Sequence, residues 1–196
     1  MLEHFFSKAK FILSAPEIKF LPPDSGYEVA FLGRSNAGKS STINAITRQK
    51  GLAKTSKTPG RTAALNIFAF DDSKRLVDVP GFGYAKVPTK TRDKWHVLIN
   101  EYLARRQCLR GIVLVMDIRH PLTPIDMEVI SWLENNDLAA HILLSKSDKL
   151  KYGARKKVFL QISGQFNNNI SVSLFSAKTK EGLIELNSVL ARWYQL

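Results

Sequence analysis

Cys108 is the only thiol in the 196 residues. No intrachain disulfide can form, which suits a reducing compartment. At the start of an apolar run, Cys108 reads as a small packed side chain rather than a nucleophile. No hydrophobic run approaches the roughly 18 residues that mark a membrane span. The first twenty residues, MLEHFFSKAKFILSAPEIKF, mix apolar and basic positions without the continuous hydrophobic region of a signal peptide. Internal repeats, low-complexity tracts and long polar linkers are also missing, so nothing demands a second domain. The expectation is a cytoplasmic monomer with one domain over residues 1–196, in which 1–22 form a short N-terminal helical extension. Acid is scarce as well: 17 Asp and Glu stand against 29 Lys and Arg, a net charge of +12. Such a surplus fits a polyanionic partner, nucleic acid or an anionic membrane surface, against the plainer reading of a solubilising exterior.

A hydrophobic fraction of 44 % is ample for a core and argues against wholesale disorder. Residues 5–14 read as a short helix, set apart by the turn-rich LPPDSG at 21–26. Apolar runs of strand length follow at 28–32, 64–70, 75–79, 111–117, 140–145 and 170–175. Helical spacing fills 39–47, 91–106, 124–135, 154–166 and 181–194. Runs such as IVLVMD and HILLS are apolar on both faces, as in a parallel sheet covered on each side. Only DDSK separates 64–70 from 75–79, which is too short for a helical crossover, so that pair is an antiparallel hairpin. The expected fold is a three-layer α/β/α domain. Its six-stranded sheet is mostly parallel with one antiparallel strand, and ligands sit at the carboxyl ends of the strands.

Gly33-Arg34-Ser35-Asn36-Ala37-Gly38-Lys39-Ser40 matches G-x-x-x-x-G-K-[ST] between a strand and a helix. Glycines let the backbone wrap phosphates, and the helix-start amides with the helix dipole supply a fixed anion site. Lys39 is expected at the β- and γ-phosphates and the Ser40 hydroxyl on Mg²⁺, with Ser41 beside them. Asp78-Val79-Pro80-Gly81 ends the strand after the hairpin. There Asp78 can hold Mg²⁺ through water and the Gly81 amide can sense a γ-phosphate. Between these motifs lies Lys57-Thr58-Pro59-Gly60-Arg61-Thr62, polar and of the kind that orders around a nucleotide. A threonine there would complete the Mg²⁺ shell; Thr62, next to the strand, is preferred, and Thr58 is the alternative. Lys39, Thr62 and Gly81 form the expected catalytic set.

Ser145-Lys146-Ser147-Asp148 places Lys-x-Asp directly after a buried strand. A carboxylate suits guanine, whose N1–H and 2-amino group are adjacent donors, whereas adenine would leave Asp148 unpaired. Lys146 would lie along the base and brace the P-loop. Phe175-Ser176-Ala177-Lys178 follows the last strand, where the Ala177 amide can donate to guanine O6. Lys-x-Asp alone can be a surface charge pair. Four motifs in this order at strand ends point instead to a guanine-nucleotide switch, with GTP and GDP as ligands.

Together GRSNAGKS, TSKTPGRT, DVPGFGYAKV, Lys-x-Asp followed by KL, and FSAK make the whole chain resemble the EngB (YihA/YsxC) family, within the translation-factor-related class of small GTPases. The resemblance implies a role in assembling the large ribosomal subunit, on which growth, division and septation depend. It also implies slow intrinsic hydrolysis, because Phe82 stands where regulatory GTPases use a glutamine. Potassium activation is implied through Asn36. Ser145 departs from the usual Asn or Thr, but its hydroxyl can still reach the P-loop.

Positive charge clusters at 48–61 (Arg48, Lys50, Lys54, Lys57, Arg61) and at 146–157 (Lys146, Lys149, Lys151, Arg155, Lys156, Lys157). With Phe82, Tyr84 and Lys86, such surfaces suit RNA phosphates and stacked bases. No basic amphipathic helix or lipidation signal favours stable membrane association. The competing reading is a division or septum regulator acting through a protein partner. A P-loop metabolic kinase is disfavoured by the guanine motif.

Overall fold

The computed structural model describes residues 2–54, 64–81, 89–166 and 169–196. Helices α1 (Leu2–Ser7), α2 (Lys39–Thr47), α3 (Thr89–Arg105), α4 (Pro124–Asn135), α5 (Tyr152–Ser163) and α6 (Leu183–Tyr194) flank seven strands among these residues. The strands are β1 (Lys10–Ala15), β2 (Tyr27–Gly33), β3 (Leu65–Ala69), β4 (Lys74–Asp78), β5 (Leu109–Asp117), β6 (Ala140–Ser145) and β7 (Ile170–Leu174). They form one sheet in the order β1-β3-β4-β2-β5-β6-β7. β3 pairs antiparallel with both β1 and β4, and the remaining pairs are parallel, so β3 is the strand that runs against the rest.

Alternation along the central strands explains the three layers. On β2, Val29 and Phe31 face one side with Val113 and Val115 of β5, against Phe6, Ile43, Ile46, Leu186 and Tyr194. Ala30 and Leu32 face the other side with Ile112, Leu114 and Met116, against Leu98, Tyr102, Ile130, Leu133 and Ile162. α4 starts with a capping box, in which Thr123 and Asp126 satisfy each other's end groups and Pro124 follows.

The expected helix over 5–14 is corrected. α1 ends at Ser7, and Lys10–Ala15 instead forms the seventh strand, which the sequence reading did not include. β3 presents an open edge of backbone groups, and pairing with it satisfies the segment better than helix would. Leu13 and Ala15 turn into the core. A register shift between Phe11 and Leu13 leaves Ile12 out of the ladder, half exposed on the new sheet edge.

His141 on β6 is 2 % exposed. Its Nδ1 lies 2.8 Å from Ser171 Oγ and its Nε2 lies 2.9 Å from Ser173 Oγ, both on β7. Burial, with a smaller contribution from Arg192, pushes the imidazole down from 6.5 to about 4. The unfolded chain therefore takes a proton between those values that the folded chain refuses. Folding stability is whole above pH 6.5 and falls toward pH 4, by on the order of 3 kcal/mol from this group. Urea unfolding across that range shows the decline, and His141→Gln removes part of its slope. An unchanged slope would acquit His141.

Candidate functional site

The phosphate end is built where β2 passes into α2. Gly33 has φ +152°, and a Cβ there would stand 2.4 Å from the Val115 carbonyl oxygen, so only glycine lets the P-loop leave the sheet so close to β5. Gly38 caps α2 and begins the helix whose first amides face the loop. Lys39 Nζ donates to Asp78 Oδ1, and both side chains are about nine-tenths covered. The P-loop lysine and the carboxylate that ends β4 thus share one spot. Val79 is fixed by its amide to the Phe31 carbonyl at 3.1 Å, which aligns the end of β4 with β2. Pro80 then delivers Gly81 onto the P-loop: a Cβ on Gly81 would sit 3.2 Å from the Ser35 amide nitrogen. A side chain there would crowd the phosphate-facing backbone.

The base end is tied to the same loop. Ser145 Oγ donates to the Ala37 carbonyl and lies 2.9 Å from the Met116 carbonyl. Lys146 Nζ donates to the Asn36 carbonyl at 2.6 Å and pairs with Asp117 at 2.9 Å. Asp117 also takes a two-pronged contact from Arg119, at 3.0 and 2.6 Å. Burial would raise the Asp117 carboxyl, but the bonds from Arg119 and Lys146 outweigh it and hold it well below the usual range. An ionised Asp117 therefore anchors Lys146 along the loop. Asp148 accepts from Ser176 Oγ at 2.7 Å. That bond, backed by Lys149, holds its carboxyl below the ordinary value, so it is an acceptor on both oxygens at neutral pH. Ser147 is pinned by its amide to the Phe175 carbonyl at 3.0 Å and by its hydroxyl to Glu181 at 2.6 Å. Ala177 and Lys178 follow on the same loop, half-buried and exposed respectively.

The structure thus brings residues 33–40, Asp78 to Gly81, Ser145 to Asp148, and Phe175 with Ser176 together at the carboxyl ends of β2, β4, β6 and β7. Ser41 is exposed on the first turn of α2, and Arg34 is half-buried on the loop. Gly60, Arg61 and Thr62, with the alternative Thr58 and with Phe82, lie outside the described residues. Two supporting groups were missed in the sequence. Asp117 carried a signal, a carboxylate at the end of the strand beside the P-loop strand. Glu181, which joins Ser147 to Arg155 at 2.6 and 2.7 Å, carried none.

Known proteins share this sequence and this fold. A family model described as 50S ribosome-binding GTPase matches residues 28–146. The probable GTP-binding protein EngB of Coxiella burnetii (strain CbuK_Q154) is 50 % identical over 192 residues, covering 96 % of this chain and 94 % of its own. The chain belongs to the EngB family of GTPases. EngB of Enterobacter sp. (strain 638) is 48 % identical, covering 96 % and 92 %. The fold is shared with a solved structure of a probable GTP-binding protein engB, with a TM-score of 0.70, 22 % identity, and coverage of 86 % and 98 %. It is shared too with Era in complex with MgGDPNP and nucleotides 1506–1542 of 16S ribosomal RNA, with a TM-score of 0.65, 17 % identity, and coverage of 86 % and 57 %. As an EngB GTPase the chain binds GTP and belongs to a class that hydrolyses it with Mg²⁺. The donor set fits that ion: Ser40 Oγ and the Asp78 carboxylate offer hard oxygens on the two motifs that Lys39 joins. Among the described residues no helix is long and apolar enough to cross a membrane.

Proposed function

We propose that this chain is a slow, Mg²⁺-dependent GTP switch that assists assembly of the large ribosomal subunit, and that normal growth and septation depend on it through that role. The observation that carries the switch is the double brace from the guanine motif to the P-loop, Ser145 Oγ to Ala37 and Lys146 Nζ to Asn36. Base reading and phosphate holding are one rigid unit, so the nucleotide is felt as a whole. Lys39 and the loop amides would hold the phosphates, while Ser40, Asp78 through water, and Thr62 would hold Mg²⁺, which would neutralise phosphate charge. Gly81, which has no room for a side chain against the Ser35 backbone, would report the γ-phosphate to the segment that contains Phe82. With Phe82 in place of a water-orienting glutamine, intrinsic hydrolysis would be slow, and a partner or a K⁺ ion held near Asn36 would supply the missing group. The ribosomal reading is supported by the description of the matching family, 50S ribosome-binding GTPase, and by the net charge of +12.

The test is co-sedimentation of the purified chain with isolated subunits, in GDP or a non-hydrolysable GTP analogue, at two salt concentrations. Binding to the large subunit that favours the GTP form and weakens with salt is expected. Binding to neither subunit would overturn the ribosomal reading and favour a protein partner at the division site. GTP turnover is compared in potassium and sodium at equal ionic strength, and equal rates would remove the role of K⁺.

A further inference from the structure

We propose that α5, with the loop over residues 176–181, is a docking face for structured RNA, a surface that rests on the ribosomal reading above and gives it a place. Between Asp148 and Glu181 there is no acidic residue, while Lys149, Lys151, Arg155, Lys156, Lys157, Lys178 and Lys180 supply seven cations. More than half of the chain's net positive charge is therefore confined to this stretch.

The fold keeps that charge unspent. Several cations elsewhere are matched: Arg48 pairs with Glu3, Arg75 and Arg106 with Glu28, and Arg119 with Asp117. Lys151, Lys156, Lys157, Lys178 and Lys180 are exposed and have no ion pair among the described residues. The other basic cluster of the sequence, at 48–61, offers less in the described residues: Arg48 is paired with Glu3, which leaves Lys50 and Lys54 as its exposed cations without an ion pair there.

An aromatic stands among the cations. Tyr152 is 67 % exposed at the first turn of α5, with the Arg155 guanidinium 5.5 Å from its ring centroid. An exposed ring braced by a cation is a stacking platform for an unpaired base, and flanking lysines at one-turn spacing meet the phosphates. Arg155 does not drift, since its Nη1 is held 2.7 Å from Glu181 Oε2. Its Nε is buried and accepted by no described atom. The same Glu181 oxygen takes the Ser147 hydroxyl, so a docked RNA abuts the guanine-reading loop.

A membrane surface fits this face poorly. Tyr152 and Leu160 are its exposed apolar groups, and Lys156 stands between them on the same helix face. A helix lying in headgroups needs a continuous apolar stripe.

The full chain is titrated with protein-free large-subunit rRNA across a range of salt, alongside Lys156→Glu/Lys157→Glu, Tyr152→Ala, and Lys8→Glu/Lys10→Glu as a charge-matched control at the opposite edge of the sheet. GDP binding without RNA reports folding, because none of these residues belongs to the nucleotide motifs. The expected result is unchanged GDP binding in every variant. The α5 double variant should bind RNA at least tenfold more weakly, with a salt slope shallower by about 2. Tyr152→Ala should lose roughly tenfold with little change in slope. The control should stay close to wild type. If wild type binds rRNA and the α5 variants match it, this surface is wrong and the ribosomal reading stands. If wild type binds neither rRNA nor the large subunit, both fall. If anionic phosphatidylserine vesicles capture wild type through the same lysines and rRNA does not compete, the occupant is a membrane and the RNA assignment is overturned.

Discussion

Replacing Asp148 by Asn is expected to weaken GDP and GTP binding by at least a hundredfold while leaving the fold intact, and to create a preference for xanthine nucleotides. Asp148 is held ionised by the Ser176 hydroxyl at 2.7 Å and by Lys149, which suits it to accept from two adjacent donors of one base. Guanine presents such a pair in N1–H and the 2-amino group. Asn replaces one acceptor with an amide N–H that faces the 2-amino group, donor against donor. An unmet polar group in a desolvated contact carries a large penalty, which is the source of the discrimination. Xanthine has a carbonyl in place of the 2-amino group, so the new N–H finds an acceptor there. Ser176 can still donate to the Asn oxygen, and Asp148 lies at the surface end of β6, so thermal stability should barely change. Fluorescent GDP and XDP titrations of both proteins decide it. Equal GDP affinity in the variant would mean that Asp148 does not read the base.

The P-loop, the Asp78-to-Gly81 turn and the Lys146-to-Asp148 motif were legible because phosphate and base chemistry fix residue types at short spacing, next to strands whose double-sided apolarity announces a parallel sheet. β1 was not legible. Phe11, Ile12 and Leu13 fit a helix or a strand equally, and the choice is made by the open edge of β3, more than fifty residues away. Local pattern cannot report an edge that only the folded sheet creates. Asp117 and Glu181 were missed for a related reason. Each acts through another side chain, Lys146 in one case and Ser147 with Arg155 in the other, and those contacts join segments about thirty residues apart. Glu28, Arg75 and Arg106 sat at the ends of expected elements, where charges usually mark exit into solvent. The fold turns them inward instead.

That inward turn sets the largest expected effect on stability. Glu28 has no exposed surface, and its carboxylate takes Arg75 Nε at 2.8 Å, Arg106 Nη2 at 2.7 Å and Nε at 3.0 Å, and the Tyr102 hydroxyl at 3.2 Å. Burial and the Glu28 charge push the Tyr102 hydroxyl far above its usual range, so it remains a donor. Burial, a hydrogen bond with Asp24 and the Glu28 charge push the neighbouring Cys108 thiol up to about 12, which keeps it a packed, unreactive group. The cluster lies at the start of β2, remote from the P-loop at its other end, and it fastens the end of α3 to the sheet. Glu28→Ala leaves two guanidinium groups buried, with side chains 8 % and 7 % exposed, Arg75 with no carboxylate partner among the described residues and Arg106 with only Asp24 at 3.7 Å. Breaking a buried pair in this way costs about 3–5 kcal/mol, which for a chain of this length lowers the melting temperature by roughly 10 °C. Glu28→Gln keeps the shape and some hydrogen bonds, so its loss should be smaller. Replacing Glu28, Arg75 and Arg106 together by apolar residues of similar volume should recover much of the loss, because the penalty comes from stranded charge rather than from a missing attraction. GDP affinity well below the transition should be unchanged in all three proteins, since no member of the cluster approaches the nucleotide loops. A Glu28→Ala protein that melts within two degrees or so of wild type would show that water reaches the guanidinium groups and that the cluster does not hold α3 in place.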